Sequence, residues 1–247
     1  MNRPDINLIN TAAYDKLAPI YKERTITTGR YPVLTPITLD DGSQRNFFLI
    51  DSCQYNFEMA FLDFYVRRDG RLPLQMLDIG FGAGNTLNYF ANNGYKTIGV
   101  DLSPEMCKIA KNINPKSEIR CGDILDINFP DRHFDAITMM SMLCQLPTND
   151  AQVLLTRVKK WLKPDSGYIY VSTSVEKNSE SGVFVKEMLG CSQLKEQAIP
   201  RFRTNYTISR FIKLIESAGF EILMSFLTYE KSQKSDRQFQ GYLCRLR

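Results

Sequence analysis

The chain has 247 residues, 43% of them hydrophobic and 23% charged, with 31 lysines and arginines against 27 aspartates and glutamates for a formal charge of +4 at pH 7. That length can bury the core of a single α/β domain, and the composition is ordinary for a soluble globular protein. So mild a charge permits an anionic partner but lacks the concentrated basic face of a nucleic-acid binder; with no apolar run of membrane-spanning length and no signal-peptide core at the N-terminus, a cytoplasmic protein is expected.

In chain order, residues 1–25 hold an amphipathic helix over 11–22, with Ala13, Leu17 and Ile20 on one side and Tyr14 and Tyr21 seven residues apart. Residues 31–39, the turn Asp40-Asp41-Gly42-Ser43 and residues 45–50 read as a β-hairpin inserted before the core. A hairpin there is suited to cap a site or to pair two copies as a homodimer. A helix over 57–66 follows, its spaced aromatics (Phe57, Phe61, Phe64, Tyr65) suited to core packing. The six cysteines form no C-x-x-C pair and read as reduced thiols, with no metal site expected.

Residues 77–86 give a short buried strand, a turn carrying Gly80, Gly82 and Gly84, and the start of a helix. Glycines there take backbone conformations closed to other residues and let the turn approach a ligand closely, as in nucleotide-cofactor sites. A second strand, 97–101, ends in Asp101, placed to accept hydrogen bonds from ribose hydroxyls; Ser103 and Pro104 then cap and start a helix. The third strand leads to Asp123 and Ile124. The fourth, 134–140, is an apolar run suited to a strand covered on both faces. A helix over 148–162, a stop at Lys163-Pro164, a fifth strand over 168–173, an aperiodic insertion over 174–206, a helix over 208–217 and two last strands near 221–228 and 239–246 complete the chain. Such alternation argues for a doubly wound sheet with right-handed crossovers. A dinucleotide fingerprint would carry its third glycine where Asn85 stands, and Asp78 would repel a pyrophosphate, so an NAD-dependent dehydrogenase is disfavoured.

Residues 78–84, 99–104, Gly122-Asp123 and 134–137 resemble the ordered motifs of the class I S-adenosylmethionine-dependent methyltransferases, over residues 75–175 and more loosely to the C-terminus. The resemblance implies a mostly parallel seven-stranded sheet of order 3-2-1-4-5-7-6, the last strand antiparallel. Residues 1–74 would supply a lid helix, the hairpin and a lead-in helix; residues 75–247 would be the core, with an acceptor-side insertion near 174–206. It implies S-adenosyl-L-methionine as cofactor, with Gly80, Gly82 and Gly84 in the turn, Asp78 near the methionine ammonium, Asp101 on the ribose and Leu102 on the adenine. Asp123 and Ile124 would frame the adenine, and Met140 and Ser141 would line the methyl region.

A sulfonium methyl is already electrophilic, so alignment of a nucleophile matters most and a base is optional. The single histidine, His133, precedes the fourth strand, at the wrong end of the sheet. Many relatives carry histidine just after that strand, where this chain has Cys144-Gln145, which favours nitrogen over oxygen as the methylated atom. Tyr14, Tyr21 and Glu176 are the candidate acid–base or orienting groups. Acceptor selection is expected in the basic region from Lys195 to Lys213, where Arg201, Arg203 and Arg210 interleave with Phe202 and Tyr206 and could clamp a carboxylate or phosphate. The expected partner is therefore a metabolite-sized, anionic acceptor. An RNA or protein methyltransferase, and a non-catalytic cofactor-binding partner subunit, stay open beside it.

Overall fold

A computed structural model describes residues 1–22, 33–50, 55–68, 70, 72–186, 199–232 and 235–247. Helix α1 (Arg3–Lys22) precedes a hairpin of β1 (Val33–Thr38) and β2 (Gln44–Ile50), then α2 (Tyr55–Arg67). The alternating core runs β3 (Gln75–Ile79), α3 (Asn85–Asn92), β4 (Lys96–Asp101), α4 (Pro104–Ile113), β5 (Glu118–Cys121), β6 (Ala136–Met140), a 3₁₀ turn (Leu143–Gln145), α5 (Thr148–Trp161) and β7 (Tyr168–Ser174). Strands β8 (Ser181–Lys186) and β9 (Ile199–Thr204), helix α6 (Ile208–Ser217) and strands β10 (Phe220–Ser232) and β11 (Ser235–Leu246) follow.

The main sheet has nine strands in the order β1-β2-β10-β11-β7-β6-β3-β4-β5. From β5 to β7 all neighbours are parallel, and β11 lies antiparallel between β7 and β10. Those seven strands carry the expected order. The two-residue period of the buried strands explains how the sheet is covered on both sides. In β6, Ile137 and Met139 face one core with Leu154, Leu155, Val158 and Trp161 of α5 and Phe211 and Ile215 of α6. Ala136 and Met140 face the other, with Met59 and Leu62 of α2, Leu87 and Phe90 of α3 and Met106 and Ala110 of α4. Each fully buried leucine, isoleucine, valine, phenylalanine or methionine among them contributes about 1.5–3 kcal/mol of burial free energy.

Three expectations change. The hairpin does not cover a site: β2 pairs in parallel with β10, from Phe226↔Phe48 to Thr228↔Ile50, and extends the sheet to nine strands with β1 at its edge. Phe48 stacks with Phe61 of α2 and contacts Phe226 of β10, and these long-range ring contacts, which no local pattern announces, hold it there. Helix α1 begins eight residues before the expected start, because its polar first turns are held by docking and not by an apolar stripe. The insertion expected to be aperiodic forms an antiparallel pair, β8 with β9, as a separate two-stranded sheet.

Among the described residues no helix is long and apolar enough to cross a membrane, and no group of three or more histidine, cysteine, aspartate or glutamate side chains is arranged to hold a metal. His133 enters β6 from the end opposite Met140, its amide donating to the Trp161 carbonyl at 2.7 Å.

Candidate functional site

The carboxyl ends of β3, β4, β5 and β6 surround one cavity, where an open α/β sheet receives its ligand. Gly82, at φ 57°, stands in the turn after β3, and a Cβ built on it would meet nothing within 4 Å. The empty space lies on the cavity side, so any side chain there would occupy ligand volume. The Gly82 amide donates to Asp101 Oδ2 at 2.9 Å, and the Ser103 amide donates to Oδ1 at 2.9 Å. One carboxylate thereby fixes the glycine turn to the end of β4. Burial pushes the Asp101 carboxyl up to about 6, against the pull of those N–H donors.

Asp78 stands behind this wall, 1% exposed, and does not line the cavity. Its Oδ1 accepts from the Thr138 hydroxyl at 2.7 Å, while Oδ2 has no hydrogen-bond partner. Burial raises it to about 7, and the negative charge of Asp101 adds to the rise. An orphaned, buried carboxylate oxygen next to a glycine cradle suits a ligand bearing a cationic group. Gly84 serves packing instead of the ligand. At φ 85° it starts α3, its carbonyl accepts from Asn114 Nδ2 at 3.1 Å, and an added Cβ would lie 2.5 Å from that same nitrogen.

Gly122, Asp123 and Ile124 after β5 and Met140, Ser141 and Met142 after β6 form the opposite walls. Ser141 holds φ 53°, a left-handed conformation that is costly for a residue with a side chain, and its amide is anchored on the Ser172 carbonyl at 2.9 Å. The following turn brings Gln145 into the cavity. Its Nε2 donates to the Ser141 carbonyl at 3.3 Å, and its buried Oε1 has no partner.

Helix α1 roofs the cavity through Asn7, Asn10, Thr11 and Tyr14. Asn7 Nδ2 donates to Asp123 Oδ2 at 2.7 Å, and Arg3 pairs with the same oxygen at 3.2 Å. Asn10, 4% exposed, donates to the Gln145 carbonyl at 3.0 Å and accepts from the Phe202 amide at 2.9 Å. Asp15 accepts from the Ser103 hydroxyl, which also caps α4 by accepting from the Met106 amide at 3.1 Å. The roof is thus tied at β5, at the 3₁₀ turn, at β9 and at α4. Tyr14 was expected here; Asn7, Asn10 and Thr11 were missed in the sequence, yet the polar side chains at 7, 10, 11 and 14 share one helix face and were the available signal.

Of the expected cofactor residues, Gly80, Gly82, Asp101, Leu102, Asp123, Ile124, Met140 and Ser141 line the cavity, and Asp78 and Gly84 do not. Of the expected acid–base groups, Tyr14 lines it, and the Tyr21 side chain lies outside the described residues. Glu176 is elsewhere: its Oε1 accepts from the Ser174 hydroxyl at 2.9 Å. The expected acceptor residues also lie off the wall. Arg203 is buried, donating to Ser174 Oγ at 2.6 Å; Tyr206 packs in the core against Phe211; Arg201 reaches the Tyr14 hydroxyl at 3.5 Å. The last residues of β9, 202 to 204, are buried in succession, arginine included, which a count of charges along the chain does not reveal.

A doubly wound sheet with a glycine cradle, a strand-end carboxylate and a helical roof defines a nucleotide-cofactor-binding α/β domain. Residues 77–171 match the family described as a methyltransferase domain. A demethylmenaquinone methyltransferase of Tropheryma whipplei is 33% identical over 92 residues, 36% of this chain and 38% of that protein, so the match spans little more than a third of that relative. A ubiquinone biosynthesis O-methyltransferase of Xanthomonas oryzae pv. oryzae is 26% identical over 185 residues, 73% of this chain and 71% of that protein. In structure, the 1,6-didemethyltoxoflavin-N1-methyltransferase of Burkholderia thailandensis, solved with its substrate and S-adenosylhomocysteine, superposes with a TM-score of 0.57 at 19% identity, covering 76% of this chain and 77% of that one. Residues 77–171 therefore carry a methyltransferase domain, and the chain has the fold of the S-adenosylmethionine-dependent methyltransferases, whose cofactor is S-adenosyl-L-methionine.

Proposed function

We propose that this protein methylates a small-molecule acceptor, with nitrogen favoured over oxygen as the receiving atom. The observation that carries the reading is the cavity itself, which is cradled by Gly82, gripped by Asp101 and roofed by α1. S-adenosylmethionine would supply an electrophilic sulfonium methyl group. Asp101 would hold the ribose hydroxyls, Leu102 and Ile124 would lie along the adenine, and Asp123 would face its amine from under Asn7 and Arg3. Asp78, with its orphaned Oδ2, would offset the charge of the methionine ammonium through the glycine turn. Met140 and Ser141 would border the reacting centre.

Catalysis then rests on alignment and exclusion of water, both of which the docked roof provides. No histidine lines the cavity, and Gln145 occupies the turn where a base would stand. An amide oxygen does not remove a proton at neutral pH, but it accepts a hydrogen bond and so orients an acceptor N–H. Tyr14, on the roof, is the candidate orienting group on the other side. The relatives are named for demethylmenaquinone, for ubiquinone biosynthesis and for 1,6-didemethyltoxoflavin, which supports a metabolite-sized acceptor here.

Calorimetric titration with S-adenosylmethionine and S-adenosylhomocysteine, with NAD as control, tests the cofactor. A mass-spectrometric screen of amine, hydroxyl and carboxylate metabolites for a gain of one methyl group tests the transfer. Binding of NAD alone would overturn the reading; methylation confined to hydroxyl acceptors would overturn the preference for nitrogen.

A further inference from the structure

A second cleft opens between α5 and α6 and shares no lining residue with the cofactor cavity. Two cations, Arg210 and Lys213, stand one turn apart on the face of α6 that borders it, and neither has an ion-pair or hydrogen-bonding side-chain partner among the described residues. Across from them Thr148 opens α5, a helix of 14 residues whose first turn no side chain caps. Its free N–H groups and dipole favour an anion. The decisive feature lies in the wall between them. Tyr206 is 3% exposed and lines the cleft; its hydroxyl makes no hydrogen bond of normal length and geometry, and its polar neighbours are Thr148 and Thr204 of the same wall. Burial pushes this phenol up to about 12, so it stays a proton donor at any physiological pH. Ser181 also borders the space; among the described residues Glu180 is the single carboxylate lining it, and Asp150 stands nearby in the first turn of α5.

We propose that this cleft is a second ligand site, which takes the phosphate or carboxylate group of a small molecule between Arg210, Lys213, the amino end of α5 and the Tyr206 hydroxyl. A buried donor without a hydrogen bond of normal geometry, an uncapped helix start and two unpaired cations converge on one negative group, and each lacks the partner that the anion supplies. The site needs no methyl transfer, so it stands or falls independently of the reaction at the other cavity.

The test is calorimetric titration of the full chain with inorganic phosphate and, separately, with acetate, each repeated at raised ionic strength. Saturable binding is expected, weakened by salt. The double variant R210Q/K213Q should lose about tenfold or more in affinity, or about 1.4 kcal/mol. Tyr206→Phe, which keeps the packed ring, should lose about threefold or more. In both variants S-adenosylhomocysteine affinity should stay within about twofold, which also reports that they are folded. Phosphate binding well above acetate assigns a dianion such as a phosphate ester; equal binding assigns a carboxylate. Absence of saturable binding by either ion, affinity that survives either change, or a parallel loss of S-adenosylhomocysteine binding would overturn the proposal.

Discussion

Asp101→Asn separates the two jobs of the strand-end carboxylate. In the native chain its two oxygens each accept one backbone N–H, from Gly82 and from Ser103, at 2.9 Å. Asparagine keeps one oxygen, so one amide loses its acceptor and meets an NH₂ group instead, at a cost to folding of about 1–2 kcal/mol. Cofactor binding loses more, because the ribose hydroxyls would donate to a charged acceptor and such bonds contribute about 1.5–3 kcal/mol. The expected outcome is a Kd for S-adenosylhomocysteine raised about 10- to 150-fold by calorimetry, in a variant whose circular dichroism is native. The pH dependence supplies a second check. Because burial holds this carboxyl at about 6 in the free protein, the native chain itself carries a protonated Asp101 below that pH and binds less tightly there. The gap between native chain and variant should therefore narrow as pH falls through 6. A folded variant binding within about twofold of native, or a gap that does not change with pH, would refute the placement of the ribose on Asp101.

Three further outcomes follow from the packing. Glu58, buried against the Tyr170 hydroxyl, is raised by burial from 4.5 to about 7, so the folded state holds its proton more tightly and this contribution to stability, complete below pH 4.5, is lost as pH rises through 7; Glu58→Gln should be the more stable protein at pH 8, by up to about 3 kcal/mol in denaturant titrations, and equal stability at pH 8 would show the carboxyl to be solvated. Gly84→Ala forces a side chain onto a left-handed residue and into Asn114, and should lower stability by about 2–3 kcal/mol, with S-adenosylhomocysteine affinity falling only in proportion to unfolding; an unchanged melting temperature would refute the packing role. Asn10→Ala removes both ties from the middle of the roof and should speed S-adenosylhomocysteine release about tenfold in stopped-flow chase experiments, whereas an unchanged rate would show that α1 does not gate the cavity.

The cavity walls were legible wherever a residue's place is set by a local strand–turn–helix pattern. Gly82 and Asp101 sit at consecutive strand ends, and the alternation of elements brings those ends together whatever else the chain does. Legibility stopped where the partner is distant in sequence. Asp123 stands where the motif puts it, but nothing near it in the chain announces that Asn7 and Arg3 reach it from 116 or more positions away. Arg203 and Tyr206 read as acceptor-binding groups because charge is easily counted along a sequence, while the burial of Arg203 follows from the contacts of β9 with α1 and the segment after the 3₁₀ turn.

The sequence by itself determined the doubly wound order of the core and the cofactor turn, since a two-residue apolar period, glycines at tight turns and an N-cap such as Ser103 act over a few residues. Tertiary structure alone decided that the hairpin completes a nine-stranded sheet, which residues of α1 close over the cavity, and that a second cleft lies between α5 and α6. It also decided which ionisable groups depart from their ordinary behaviour, because Glu58, Asp78 and Asp101 are shifted chiefly by burial, and burial is a property of the packed whole.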